Sequence, residues 1–89
     1  MFFRGFCIGV PDGDGCHLSD GTQLRYESVH APELHRLGGL LAKQLNEGLV
    51  SSKWIQYTIE ARDVYGRIVS NVYVGTMWVN DYLRKQGYR

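Results

Sequence analysis

Proline, cysteine and long apolar runs are scarce or missing in this chain of 89 residues. Two cysteines are too few for a disulfide framework, and there are no repeats or low-complexity segments. No run of about 18 apolar residues occurs, which excludes a membrane-spanning helix. The net charge is only +1, so no global positive field attracts nucleic acid. The length suffices for one hydrophobic core, and we expect a single domain over residues 1–89.

The two cysteines, Cys7 and Cys16, flank the first predicted turn and could face one another across a hairpin. A disulfide is one interpretation. Two small buried side chains are the favoured one, because free cysteine is commonly buried. The spacing contains no Cys-x-x-Cys pattern, so a metal-binding role is weaker still.

The first four residues, Met1-Phe2-Phe3-Arg4, lack the charged region and long apolar stretch of a secretory signal. We therefore expect a cytoplasmic protein. A secreted form whose signal has been removed stays open as an alternative.

Periodicity predicts five strands and two helices. Strands are expected over residues 2–10, 16–19, 22–29, 53–60 and 67–74. In the third strand, Leu24 and Tyr26 alternate with Arg25, so the arginine should point away from the core. Four leucines at helical spacing predict an amphipathic helix over residues 37–47, and these are Leu37, Leu40, Leu41 and Leu45. A short final helix is expected from residue 79 or 80 to residue 86.

Several polar residues near strand ends suit the hydrolysis of a phosphodiester. Arg25 and Arg67 supply guanidinium groups, which hold a phosphate and stabilise the charge that it gains when it becomes five-coordinate. Glu33 supplies a carboxylate that can deprotonate or orient water. Asp12 and Asp14 share one tight turn, and two close carboxylates suit a hard cation.

Each of these residues also has a plainer interpretation. Arg67 alone would more often be a solvated residue after a turn. Glu33 could be a charge near the start of the following helix, where the helix dipole favours it. Asp12 and Asp14 could simply cap their turn. The joint occurrence of all three segments, in this order, favours the chemical interpretation.

The order and spacing of these segments resemble the staphylococcal-nuclease-like (thermonuclease) family from about Ile8 to Gly87. The matching pieces are Asp12-Gly13-Asp14, Asp20-Gly21-Thr22, Leu24-Arg25, Ala31-Pro32-Glu33 and Asp63-Val64-Tyr65-Gly66-Arg67. The resemblance implies an α+β fold, mainly β: a five-stranded OB-fold barrel with one inserted helix and a short C-terminal helix. The family's last helix should be missing.

The resemblance implies a metal-dependent nuclease acting on DNA or RNA. Arg25, Glu33 and Arg67 would be its catalytic residues. The family's calcium ion would be held by Asp14, with help from Asp12, and by His30 and the carbonyl group of Ala31.

Two positions depart from the family pattern: Gly15 replaces a threonine and His30 replaces an aspartate. A neutral imidazole is a poor calcium ligand. A weak calcium site, a site for a softer ion such as Mn²⁺ or Zn²⁺, and no metal at all therefore stay open.

The alternative function is a non-catalytic OB-fold module that binds nucleic acid or protein and whose metal site is degenerate. Retention of Glu33 favours the enzyme, and His30 favours the module. Tyr65, beside Arg67, is the best candidate for stacking on a base. Trp54 and Tyr73 are expected in the core. A homo-oligomer is expected, and a membrane partner is not.

Overall fold

Eight strands and two helices make up the computed structural model, which describes residues 1–89. The strands are β1 (Phe3–Gly9), β2 (Gly15–Leu18), β3 (Gln23–Tyr26), β4 (Trp54–Tyr57), β5 (Ala61–Arg62), β6 (Ile68–Ser70), β7 (Val72–Val74) and β8 (Met77–Trp78). The helices are α1 (Gly39–Val50) and α2 (Val79–Lys85). The fold is thus mixed α+β and mainly sheet, as predicted.

All strands belong to one open sheet with the order β5-β6-β3-β2-β1-β4-β7-β8. The contact between β3 and β6 is parallel and the other contacts are antiparallel. β1 carries a register shift between Cys7 and Gly9, at the point where its pairing passes from β4 to β2. The order is consistent with the OB fold of the family that the sequence resembles. Closure into a five-stranded barrel is not confirmed.

The count of eight strands differs from the predicted five because long segments bend and change neighbours. The predicted strand 67–74 is divided at Asn71, whose backbone N–H donates to the Thr58 hydroxyl at 3.0 Å instead of continuing the ladder. Its halves, β6 and β7, pair with β5 and β4 respectively. The predicted strand 22–29 ends early because Ser28 has a positive φ of 57°, which a strand cannot continue through. β8 was not predicted.

The prediction for the inserted helix was wrong about the buried face. α1 begins at Gly39, and Leu37, Leu40 and Leu41 are 100%, 58% and 66% exposed. The buried positions also follow helical spacing, and they are Gly39, Ala42, Asn46 and Val50. Small side chains on this face let the helix approach the rest of the chain closely. Neither α1 nor α2 has the length and apolar content of a membrane-spanning helix.

The core is built from inward-facing strand residues and from the apolar faces of both helices. Leu24 and Tyr26 are buried and Arg25 points away from them, as the alternation predicted. Trp54 is 59% exposed, so its expected place in the core was wrong, and Tyr73 is only half-buried. The remaining core members are Cys7, Val10, Cys16, Leu18, Val29, Val50, Ile55, Tyr57, Ile68, Val72, Val79 and Leu83.

Both cysteines are free and buried, which confirms the favoured interpretation of the pair. The neighbouring Cys7 sulfur and burial both raise the pKa of the Cys16 thiol. A protonated thiol in this position behaves as a small apolar side chain.

Candidate active site

A tight acidic turn joins β1 to β2 and carries Asp12, Gly13 and Asp14. One Asp12 carboxylate oxygen, Oδ1, accepts the backbone N–H of Asp14 at 3.1 Å, which closes the turn. A Cβ atom on Gly13 would lie 2.6 Å from the Cβ of Ala42 and 2.7 Å from that of Ala31. Only glycine therefore lets the turn pack between α1 and the loop that follows β3.

Asn46, on the buried face of α1, fixes this turn through side-chain hydrogen bonds. Its side-chain amide donates to the carbonyl oxygens of Asp12 at 3.0 Å and Gly15 at 2.8 Å, and its oxygen accepts the hydroxyl of Tyr26 at 2.8 Å. The residue is fully buried. Sequence reasoning missed it. The signal that could have found it is a polar residue at the same helical spacing as the small buried residue Ala42.

Asp14 is the buried acid of the turn, with 8% of its surface exposed. Its Oδ2 atom accepts the backbone N–H of Ala31 at 3.1 Å and lies 3.6 Å from the Arg25 Nη2 atom. Burial raises the pKa of Asp14 and the nearby Asp12 carboxylate adds to the rise, against the opposing effects of the Ala31 N–H and Arg25. A cation placed between the two carboxylates would relieve their repulsion.

Two arginines line the same cavity, Arg25 from β3 and Arg67 from the end of the turn that precedes the parallel strand β6. Arg25 lies in β3 opposite Val69 of β6, and Arg67 lies two residues before Val69. The Arg25 Nη1 atom donates to the Tyr26 carbonyl at 2.6 Å. The Arg67 Nε atom donates to Asp63 Oδ2 at 2.6 Å, while neither of its two terminal nitrogens has a protein acceptor. The terminal nitrogens of Arg67 are therefore available to an anionic ligand.

The turn from Asp63 to Arg67 fixes that arginine by local bonds. Asp63 Oδ1 accepts the backbone N–H groups of Tyr65 and Arg67, both at 2.9 Å, and Gly66 takes the positive φ of 82° that the turn needs. Burial acts to raise the pKa of Asp63, but the hydrogen bonds from Arg67 and Tyr65 outweigh it and lower that pKa. Tyr65 is 80% exposed, and its ring centroid is 5.4 Å from the Arg67 guanidinium carbon.

One cavity of about 280 Å³ gathers the side chains that the sequence singled out. Its lining consists of Asp12, Asp14, Arg25, His30, Ala31, Glu33 and Arg67. A second cavity of about 290 Å³ shares Arg25 and Arg67 and also includes Tyr65. Residues from three distant segments of the chain thus meet at one place.

Glu33 is an exposed member of this set, and its carboxylate contacts neighbouring side chains of its own loop. Its Oε2 atom lies 3.3 Å from His35 Nε2 and 3.6 Å from Arg36 Nε. These contacts bind the carboxylate to its own loop. His30 is also exposed, and its backbone N–H donates to the carbonyl of Tyr88 at 3.3 Å.

A family model described as staphylococcal nuclease homologue matches residues 23–89. The chain belongs to this staphylococcal nuclease family. An uncharacterized endonuclease of Escherichia coli is 31% identical over 88 residues, which cover 94% of this chain and 58% of the relative. A second uncharacterized endonuclease, from Escherichia coli O157:H7, is 30% identical with the same coverage. The chain therefore spans 58% of the length of each of these relatives.

The staphylococcal nuclease family usually uses calcium, an ion that prefers oxygen ligands. No group of three or more His, Cys, Asp or Glu side chains lies close enough to hold a metal. His30 lines the same cavity as Asp12 and Asp14, and its role as a metal ligand stays a prediction. Two carboxylates do not make a protein-built calcium cage, which takes six to eight oxygen ligands. They fit a cation that completes its shell with water and substrate phosphate.

Proposed function

We propose that this chain is a nuclease domain that hydrolyses phosphodiester bonds in DNA or RNA with the help of a divalent cation. The observation that carries the proposal is the shared cavity. It sets two guanidinium groups, two carboxylates of one turn and a glutamate around a space large enough for a phosphate.

The arginines would act on the phosphate. The free terminal nitrogens of Arg67 bind two of its oxygens, and Arg25 approaches from the neighbouring strand. Guanidinium groups present donors in a fork that matches such oxygens. Because the charge on the phosphate grows in the transition state, these donors stabilise that state more than the ground state.

Glu33 would orient or deprotonate the attacking water. To do so its carboxylate must leave His35, which it contacts, and Arg36, with which it forms an exposed ion pair. Exposed pairs of this kind contribute about 0–1 kcal/mol, so substrate binding can displace them. The cation, calcium by family resemblance, would be held by Asp14 and Asp12, and when bound it polarises a phosphate oxygen.

The second candidate function is a module that binds nucleic acid without cutting it. Two observations favour it: the Glu33 carboxylate contacts its own loop, and the side chains around the acidic turn do not form a group of three close metal ligands. The module would keep the arginines for phosphate binding alone.

Single substitutions distinguish the two functions. Arg67→Ala and Glu33→Gln should each lower the cleavage rate by about a hundredfold or more if both residues serve the transition state. Lys85→Ala is the control, because Lys85 is an exposed cation paired with Asp81 on α2. Cleavage of end-labelled single-stranded DNA and RNA gives the rates. If Glu33→Gln cuts as fast as the wild type, the role proposed for Glu33 is wrong.

A further inference from the structure

The outer face of β1, β4, β7 and β8 carries a continuous set of aromatic side chains that the core does not use. Register places Phe6 opposite Trp54, Arg4 opposite Gln56, Gln56 opposite Tyr73, and Tyr73 opposite Trp78. Residues paired in this way point to the same side of a sheet. The aromatic members of the face are Phe2, Phe6, Trp54, Tyr73 and Trp78.

These rings contact one another while much of their surface stays open to solvent. Ring centroids are 5.5 Å apart for Phe6 and Trp54, 5.2 Å for Phe2 and Tyr73, and 6.3 Å for the stacked pair Tyr73 and Trp78. Phe2, Trp54 and Trp78 are 56%, 59% and 39% exposed. Aromatic surface of this extent is unusual on a domain without a ligand or partner for it.

Two arginines lie over the tryptophans of this face. The guanidinium carbon of Arg4 is 5.3 Å from the ring centroid of Trp54, and that of Arg84 is 5.0 Å from the ring centroid of Trp78. Neither arginine forms an ion pair with a carboxylate. Arg84 donates one hydrogen bond, to the Glu27 carbonyl at 3.1 Å. We call these two arginines and the five aromatic side chains the aromatic–arginine face.

Carboxylates play little part on this face. Glu60 reaches it only through Asn71, which accepts the Trp78 ring N–H at 3.0 Å and donates to Glu60 at 3.2 Å. A ligand that suits exposed aromatic rings and unpaired arginines combines flat π surfaces with negative charge. Single-stranded nucleic acid has that combination, with bases that stack on aromatic rings and phosphates that pair with arginine.

We propose that the aromatic–arginine face binds single-stranded nucleic acid. In the complex, Arg4 and Arg84 move from the rings of Trp54 and Trp78 to the phosphates, and bases stack on the ring faces that the arginines leave. An exposed cation–π contact contributes only about 0.5–1 kcal/mol, so binding can displace it. The face lies on the β1-β4-β7-β8 part of the sheet, with Arg84 contributed by α2. The candidate active site is built instead on β3, the acidic turn, the loop after β3 and the turn that precedes β6. The inference goes beyond the proposed function, since it requires nucleic acid as ligand but no cleavage.

The tryptophans themselves supply the readout, because the chain has two and both lie on this face. The experiment titrates dT8 into the Arg67→Ala variant with EDTA present, so that nothing is cut, and follows tryptophan fluorescence. We expect saturable quenching that weakens as salt is raised. The same oligonucleotide carrying a dye reports total binding by anisotropy.

Trp54→Ala and Arg4→Ala test the face directly, since both side chains are exposed and neither makes a side-chain hydrogen bond. Each should weaken binding about tenfold, and Trp78 remains as the reporter in Trp54→Ala. The control for lost charge is Lys43→Ala, and the control for lost apolar surface is Leu41→Ala. Both residues lie on α1, and neither substitution should change the affinity.

Three results would overturn the inference. The first is dye anisotropy that shows binding without tryptophan quenching and without an effect of Trp54→Ala, which would place the strand at Arg25 alone. The second is an absence of binding by either readout. The third is a dimer, seen by analytical ultracentrifugation, that Trp54→Ala dissociates, which would make the face an interface between two copies. Failure of cleavage in the wild type would bear on the proposed function and not on this face.

Discussion

Replacing Asn46 with alanine should destabilise the fold and loosen the acidic turn at the same time. The substitution removes three buried hydrogen bonds, to Tyr26, Asp12 and Gly15. Each bond contributes about 0.5–1.5 kcal/mol, and a group left unsatisfied costs about 1–3 kcal/mol. Water can reach some of the groups that lose their partner, so we expect the free energy of unfolding to fall by about 3 kcal/mol in total. This loss corresponds to a fall in Tm of roughly 12–24 °C.

Asn80→Ala is a matched control for this prediction. Asn80 is also fully buried and makes three hydrogen bonds, with the Val72 N–H and the carbonyls of Glu27 and Ser70. Urea unfolding should show similar losses of stability for the two variants. Binding of a divalent cation, measured by calorimetry below both midpoints, should weaken only in Asn46→Ala. A loss below about 1 kcal/mol for Asn46→Ala would refute the reasoning from its hydrogen bonds.

Three further predictions concern the metal position, the cysteines and pH. His30→Asp places a carboxylate at the position where the family has an aspartate. It should tighten cation binding about ten- to a hundredfold, or about 1–3 kcal/mol, and raise the cleavage rate. Tighter cation binding without cleavage would favour the non-catalytic module. Cys7 and Cys16 are free and buried. A thiol reagent should therefore modify them slowly in the native state and fast in urea. Fast labelling of the native protein would contradict the burial of the two thiols. Asp63 has a lowered pKa, so its contribution is present above the pKa of an unfolded aspartate, about 3.9, and is lost as pH falls through the folded pKa. Asp63→Asn should therefore reduce the free energy of unfolding at pH 7, and the reduction should shrink as pH falls below about 3.9. A reduction that stays the same from pH 7 into acid would contradict this assignment.

Local patterns were sufficient to predict several features of the fold. The alternation of Leu24, Arg25 and Tyr26 gave the correct sides of β3, because one face of that strand is buried. The Asp-Gly-Asp turn and the turn ending at Arg67 lie between strands, because their glycines and aspartates satisfy the backbone locally. That these segments meet in one cavity was expected from the family resemblance, since neither segment contains information about the other.

Features set by distant contacts were not predictable in the same way. Four leucines at helical spacing indicated one face of α1, yet the stripe of small residues that includes Ala42 is buried. The reason is that the acidic turn needs a close approach of Gly13 to the helix, which a leucine would prevent. Trp54 was expected inside because aromatic residues are commonly buried, whereas its register with Phe6 sets it on the outer face. The contacts of Glu33 with His35 and Arg36 depend on the conformation of a loop, which the hydrophobic periodicity of a sequence does not predict.

The proposed function requires that the cavity lined by Arg25, Glu33 and Arg67 supports cleavage of phosphodiester bonds with a divalent cation. Its most direct test is the initial rate of cleavage of end-labelled single-stranded DNA and RNA by the wild type in parallel with EDTA, Ca²⁺, Mg²⁺ and Mn²⁺. We expect cleavage with at least one cation, none with EDTA, and loss of the cleavage in Arg67→Ala. Binding of both substrates without cleavage under any of these conditions would contradict it, as would a rate that EDTA leaves unchanged.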